Sequence, residues 1–119
     1  MLFRSGLGQA NTLQALGDAA RQAGAYAEAA AIYQRALVLY AREQAPMGTA
    51  YTFAELSRCL HALGEHANRD AALEKALQWA DMTHTDAVRR YVQAALEEVT
   101  GGREQAEAWI AGRAGGIAD

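Results

Sequence analysis

The sequence predicts an all-α protein of about three helix–turn–helix units, and two observations carry this prediction. Only one proline, Pro46, occurs in 119 residues, and the chain is rich in Ala, Leu, Glu, Arg and Gln, which favour helices. An internal repeat then divides the chain. The segment 24–37 returns at 64–77, an offset of 40 residues, and a weaker copy begins at Gly101, an offset of 37.

The two strong copies share a glycine, small residues and apolar residues at fixed spacing: Gly24/Gly64, Ala27/Ala67, Ala31/Ala71, Tyr33/Leu73 and Ala36-Leu37/Ala76-Leu77. Upstream of each glycine, apolar or small residues recur at i, i+3, i+4 and i+7, which is typical of an amphipathic helix. Each unit therefore reads as helix, glycine turn, helix. The expected helices run over residues 9–22, 26–42, 48–63, 66–82, 86–99 and 103–111.

Glycines and the proline mark the expected turns. Gly24 and Gly64 fit the left-handed residue that ends a helix. Pro46 and Gly48 are expected in the loop between the first two units, within a linker over residues 43–49.

The first copy carries a specific pattern: Leu13-x-x-Leu16-Gly17-x-x-Ala20-x-x-x-Gly24-x-Tyr26-x-x-Ala29-x-x-x-Tyr33-x-x-Ala36-Leu37. It resembles the tetratricopeptide repeat (TPR), in which small residues at the places of Gly17 and Ala29 let two helices touch. The second copy departs at Arg69, which replaces a small residue and must extend outward or shift the helix pair. The third copy keeps little beyond the periodicity.

The repeat spacing of 40 residues exceeds the ~34 of the family. With the surplus assigned to residues 43–49, the chain is similar to the long-linker repeats of kinesin-light-chain-like and bacterial signalling TPR proteins. HEAT-type repeats share the period and are the alternative. The resemblance implies an α–α superhelix, a TPR-like solenoid, with units at 10–43, 50–83 and 86–111.

The domain prediction is a single repeat domain over residues 10–111. Residues 1–9 are expected to be an artefactual or disordered leader, because Met1–Ser5 resembles the translation of a sequencing-adapter end. Residues 112–119, with Gly112, Gly115 and Gly116, are expected to form a flexible tail.

The resemblance implies a concave face, lined by the first helix of each unit, that binds a protein or peptide. The groove candidates are Asn11, Gln14, Asp18, Arg21, Tyr51, Glu55, Arg58 and His61, with Tyr91 and Glu98 from the third unit. Amides on this face could hydrogen-bond a peptide backbone, and its arginines could pair with acidic side chains. The alternative is an ordinary solvated face.

Other classes of protein fit the sequence less well. The net charge of −3 disfavours a nucleic-acid binder, and no apolar run is long enough to span a membrane. The single Cys59 favours a reducing, cytoplasmic setting and reads as a small buried hydrophobe. His61, His66 and His84 include no helical i, i+4 pair, so no metal site, cofactor or catalytic residue is predicted.

Two tryptophans extend the prediction. Trp79 is expected to pack between units, and Trp109 either seals the last edge or lies exposed where a partner docks. We therefore expect a protein- or peptide-binding scaffold without enzymatic activity, part of a larger bacterial regulatory or signalling protein. The alternatives are a segment that oligomerises by stacking its exposed repeat ends, and, less favoured, a small enzyme or a helix-turn-helix DNA binder.

Overall fold

The computed structural model describes residues 6–118, with side chains for residues 6–113, and this part of the chain folds into helices without strands. The all-α prediction is confirmed. The six helices of the described chain are α1 (Gly6–Gln22), α2 (Tyr26–Arg42), α3 (Pro46–Ala62), α4 (His66–Thr83), α5 (Asp86–Thr100) and α6 (Arg103–Ala118).

The 40-residue repeat arises from long helices, not from a long linker. The first five helices begin 20 residues apart, and each of the first three is a 17-residue helix followed by a three-residue loop. The linker expected at 43–49 is therefore wrong, since its loop covers only 43–45. Pro46 opens α3 instead of lying in a loop, because its fixed φ suits the first helical turn and that turn needs no N–H from it.

The first three loops share one hydrogen-bonded conformation. The N–H of Ala25 donates to the carbonyl of Ala20 at 2.9 Å, and matching bonds close the loops at 43–45 and 63–65. A residue with positive φ stands in each loop: Gly24 at 81°, Gln44 at 51° and Gly64 at 76°. This is the Schellman end of a helix, so the prediction for both glycines is confirmed. The sequence does not indicate that the second loop has the same conformation, because Gln44 stands where the other two loops have glycine.

Helix also extends into both terminal segments expected to lack it. Helix α1 begins at Gly6, inside the expected leader, and Met1–Ser5 lie outside the described residues. Helix α6 continues to Ala118, through most of the expected tail, and Asp119 lies outside the described residues. A physical reason is visible at α6: Arg113 donates from Nε to Glu74 Oε1 of α4 at 2.6 Å, which ties the helix down beyond Gly112.

Each helix packs on the next along the chain, and the first helices of successive pairs also touch, α1 against α3 and α3 against α5. Small residues lie at these contacts. Gly17, Ala29 and Ala36 are buried, as close helix packing requires. The ring of Tyr33 covers Gly17, and the ring of Tyr40 covers Gly48.

Arg69 shows how the second unit accommodates a large residue at a small position. Its guanidinium lies along the helix surface, and Nη1 donates to His61 Nδ1 at 3.0 Å and to His66 Nδ1 at 3.1 Å. Nη2 forms an ion pair with Asp70 at 2.9 Å. The arginine is thus held among polar partners and stays out of the apolar core. Of the helices described, none is both long and apolar enough to cross a bilayer.

Candidate functional site

The predicted groove residues lie on α1, α3 and α5, and we call their surface the first-helix face. Because these helices begin 40 residues apart, their side chains align in series such as Asp18, Arg58 and Glu98. The structure brings most of the predicted residues together. It also shows that they are engaged by partners within the protein, some by one another and those of α1 also by tyrosines of α2.

Glu55 is the centre of this face, and its side chain is fully buried. One carboxylate oxygen, Oε1, accepts hydrogen bonds from Arg58 Nη1 and from the Tyr91 hydroxyl. The other, Oε2, lies 2.7 Å from Arg21 Nη2, an ion pair without an aligned hydrogen bond. A buried carboxylate needs such compensation, so Glu55 is a structural anchor. The prediction placed Glu55 in an exposed groove, whereas its side chain is buried.

Arg58 links α3 to α5. Its Nε donates to Glu98, Nη1 donates to the Tyr91 hydroxyl at 3.0 Å, and the guanidinium lies 5.3 Å from the centre of the Tyr91 ring. Burial opposes its charge, but the hydrogen bond to Glu98 and the charge of Glu55 outweigh burial and raise its pKa above the usual value. Arg58 therefore stays charged and committed to internal partners.

Tyrosines complete the α3–α5 contact. Burial and the hydrogen bond to Glu55 raise the pKa of Tyr91 well above its ordinary value, so its hydroxyl remains a donor. Tyr51 stacks on the Tyr91 ring with centroids 4.3 Å apart. Tyr51, expected to face a ligand, thus contributes to packing between successive units.

The predicted residues of α1 are engaged by α2. The Tyr33 hydroxyl donates to Asp18 and accepts from Arg21 Nε at 3.3 Å. The Tyr40 hydroxyl lies 2.6 Å from both Asn11 Oδ1 and Gln14 Oε1. A hydroxyl has one proton, so one of these amides must turn its NH2 group toward the tyrosine oxygen. Asn11 and Gln14 are therefore partly occupied by Tyr40 before any peptide arrives.

The exception is His61, whose exposed ring turns away from this network toward Arg69. It borders a shallow cleft of about 200 Å³ lined by Arg21, Tyr26, Arg58, His61, Ala62, Glu98 and Val99. The arginines of this cleft are already paired with Glu55 and Glu98. The cleft thus offers little uncompensated charge to a ligand.

A larger recess, which the sequence did not predict, lies on the opposite side of α3. Helices α2 and α4 do not pack directly on each other, and α3 forms the floor between them. We call this recess, about 560 Å³ in volume, the α2–α4 groove; it is lined by Ala27, Ala30, Ala31, Gln34, Phe53, Leu56, Leu60, Leu63, Glu65, Asn68, Ala71, Ala72 and Lys75.

The groove exists because a small residue stands where the next unit has a large one. Helix α6 begins 37 residues after α4, so Trp109 of α6 corresponds to Ala72 of α4. Trp109 closes the space between α4 and α6, and its Nε1 donates to Asp70 Oδ1 at 3.1 Å. Ala72 leaves the matching space between α2 and α4 open. The sequence could have predicted this difference between Ala72 and Trp109, but only with the knowledge that α6 begins 37 residues after α4.

The single cysteine, Cys59, is buried as the sequence predicts. Cys59 is fully buried, and desolvation raises its pKa to about 11, so the thiol stays protonated at neutral pH. Within residues 6–113, no group of three or more His, Cys, Asp and Glu side chains is arranged to hold a metal ion.

No family model matches the chain, no curated protein matches its sequence, and no solved structure matches it.

Proposed function

We propose that this chain is a protein-binding scaffold, and that it holds an apolar, helical segment of a partner protein in the α2–α4 groove. The module acts by binding and not by catalysis. The resemblance to the tetratricopeptide repeat supports a TPR-like superhelix as its architecture, and the buried Gly17, Ala29 and Ala36 agree with that reading. The α2–α4 groove supports the partner-binding role in this chain.

The observation that carries the proposal is the unfilled α2–α4 groove beside a filled equivalent. Trp109 occupies the space between α4 and α6, whereas nothing in the described chain occupies the space above Ala72. Apolar floor residues such as Phe53 and Leu60 lie at its base. An apolar side chain from a partner would remove this surface from water, at roughly 25 cal/mol for each Å² buried.

The shape and lining of the groove favour a helix as the bound segment. Its walls carry exposed alanines, Ala27 and Ala31 on α2 and Ala71 on α4, which allow a partner backbone to approach closely. Polar residues such as Gln34 and Lys75 stand at the rim. An apolar centre with a polar rim is the usual form of a site that receives the apolar face of an amphipathic helix.

The first-helix face is the weaker candidate on the same grounds. A ligand carboxylate that paired with Arg21 or Arg58 would have to compete with Glu55, which is buried and cannot reach water. Displacing either arginine would leave that carboxylate undercompensated, a costly change. This network favours a role in fixing how α1, α3 and α5 stack.

A peptide-display selection tests the proposal. Peptides enriched on the wild-type protein are measured by titration calorimetry against Ala71→Glu in the groove, Ala87→Glu at an exposed position of α5, and His61→Ala beside the shallow cleft. We expect Ala71→Glu to weaken binding at least about tenfold and the other two to leave it within about twofold. All three sites are exposed, so circular dichroism should show unchanged folding.

Two results would contradict the groove as the binding site. One is a set of enriched peptides that bind Ala71→Glu as tightly as the wild type. The other is a loss of binding confined to His61→Ala, which would return the site to the shallow cleft on the first-helix face.

A further inference from the structure

A leucine at the start of the helix array lacks the cover that its equivalents have. Leu56 of α3 and Leu96 of α5 lie 40 residues apart and are 6% and 0% exposed. Leu16 of α1 lies 40 residues before Leu56 and is 53% exposed. Leu56 and Leu96 have a preceding helix pair against which to pack, whereas in the described chain Leu16 has none. Within the described residues, α1 therefore exposes the kind of surface that α3 and α5 bury against a preceding helix pair.

The last end shows the complementary feature. Tyr33 of α2 and Leu73 of α4 lie 40 residues apart and are both fully buried. Ile110 of α6 lies 37 residues after Leu73, the same shift that separates the starts of α4 and α6, and it is 40% exposed. Ile110 occupies the position that the next first helix would cover.

These two residue series meet inside the molecule. Tyr33 and Leu56 belong to one buried cluster between the first and second helix pairs. Leu73 and Leu96 belong to the matching cluster between the second and third pairs. By the same pattern, Ile110 would pack against a leucine equivalent to Leu56 and Leu96. Leu16 is the equivalent leucine of α1.

We propose that a second copy of this chain docks end to end, with Leu16 of one copy against Ile110 of the next. The occupant follows from continuity with the internal interface, because both halves of the missing contact are present on one chain. The contact joins two different surfaces, so it leaves a free end on each side of the pair and allows further addition.

Further apolar surface at the first end would be covered in the same contact. Leu13, Leu39 and the exposed Val38 border a recess of about 530 Å³ beside α1 and α2. Arg35 also lines this recess, and on α6 Glu107, three residues before Ile110, is paired with Arg103 at 3.5 Å. Apolar burial, not charge attraction, therefore drives the association.

Sedimentation velocity across a wide range of protein concentration tests this proposal, with two blocking variants. Leu16→Glu closes the first end and leaves Ile110 available; Ile110→Glu does the reverse. The wild type should grow beyond a dimer as concentration rises, and each variant alone should remain monomeric. An equimolar mixture of the two variants should form a complex of two chains, since one open end of each kind survives. Met82→Glu, an exposed apolar site outside both ends, is the matched control and should assemble like the wild type.

Each other outcome overturns the proposal. A wild type that is monomeric at every concentration shows that these ends do not join, and leaves them to a different protein or to further repeats. Loss of assembly in Leu16→Glu but not in Ile110→Glu shows a symmetric contact between two first ends. Loss of assembly in Met82→Glu shows that the chains associate through a surface other than the two ends. Circular dichroism melting of each variant establishes that the fold is retained.

Discussion

The ring of Tyr33 lies directly over Gly17 of α1, where the glycine has no side chain. A Cβ atom added at Gly17 would lie 2.6 Å from Cε1 of Tyr33, closer than carbon atoms approach in proteins. The hydroxyl of the same ring donates to Asp18 and accepts from Arg21. The glycine thus allows the ring to reach the polar network of the first-helix face, and packing and hydrogen bonding depend on the same missing methyl group.

Gly17→Ala should destabilise the fold although alanine is the better helix former. The added methyl group would force Tyr33 from its position, a cost of about 1–3 kcal/mol, against a gain in helix propensity of about 1 kcal/mol. Gly112→Ala is the matched control, because a Cβ at this position of α6 meets nothing within 4 Å. Urea denaturation should show a loss of stability for the first variant and no loss for the second. Equal effects at both glycines would contradict the close contact.

Glu55→Gln should destabilise the fold by about 3 kcal/mol or more. The substitution keeps the shape of the side chain but removes the charge that compensates Arg21 and Arg58, both mostly covered by protein. Glu98→Gln removes another carboxylate partner of Arg58, but Glu98 is 60% exposed, so the expected loss is below about 1 kcal/mol. Chemical denaturation of both variants checks the contrast. A larger loss for Glu98→Gln than for Glu55→Gln would place the anchor of the network elsewhere.

Gln44→Gly should stabilise the protein. Gln44 adopts a φ of 51°, in the left-handed region that costs a residue with a Cβ atom, while the other two loops of this type use glycine there. We expect the free energy of unfolding to rise by about 0.5–1 kcal/mol. This net value already includes the loss due to the greater freedom of glycine in the unfolded chain. Gln44→Ala keeps the Cβ atom and should give no gain. The melting temperatures of the two variants separate strain in the backbone from loss of the glutamine side chain.

Stability should fall above about pH 9, and Cys59 should account for part of the fall. The thiol pKa is about 11 in the folded protein against an unperturbed 9.0, because burial disfavours the thiolate. The unfolded chain therefore loses this proton first as the pH rises, and the free energy of unfolding decreases by up to about 3 kcal/mol between the two values. The pKa values of the buried Tyr33 and Tyr40 and of the partly buried Tyr91 are also raised and act in the same direction.

The variant Cys59→Ala isolates the contribution of the thiol. The free energy of unfolding is measured at about pH 8 and about pH 10 for this variant and for the wild type. The decrease between the two pH values should be smaller in the variant, whatever its stability at about pH 8. Identical decreases would show that the thiolate is not destabilised by burial.

The sequence predicted the helices well because their signal is local. Apolar spacing placed the start of α2 at Tyr26 and of α4 at His66, both of which are confirmed. The linker prediction failed at Pro46, since a proline reads as a loop residue unless its place in the first turn of a helix is known. Gln44 was missed for a similar reason: nothing in a lone glutamine indicates a left-handed backbone.

The site was harder to predict than the fold because partners within the chain are not local. Helical spacing placed Arg21, Glu55 and Arg58 on one face, but it could not show that Glu55 is buried and pairs with both arginines. The α2–α4 groove was missed since it depends on the absence of a large side chain at Ala72. The significance of Ala72 is clear only when the structure shows that Trp109 fills the equivalent space in the next unit.

A nuclear Overhauser measurement on the α protons of Gly17 and Gly48 tests how α1, α2 and α3 pack. Both glycines lie under tyrosine rings contributed by α2, Tyr33 and Tyr40. We predict strong cross-peaks between each glycine and the ring protons of its tyrosine, together with chemical shifts displaced by the aromatic ring. Unshifted glycine α protons without these cross-peaks would show that the helices do not pack in this register.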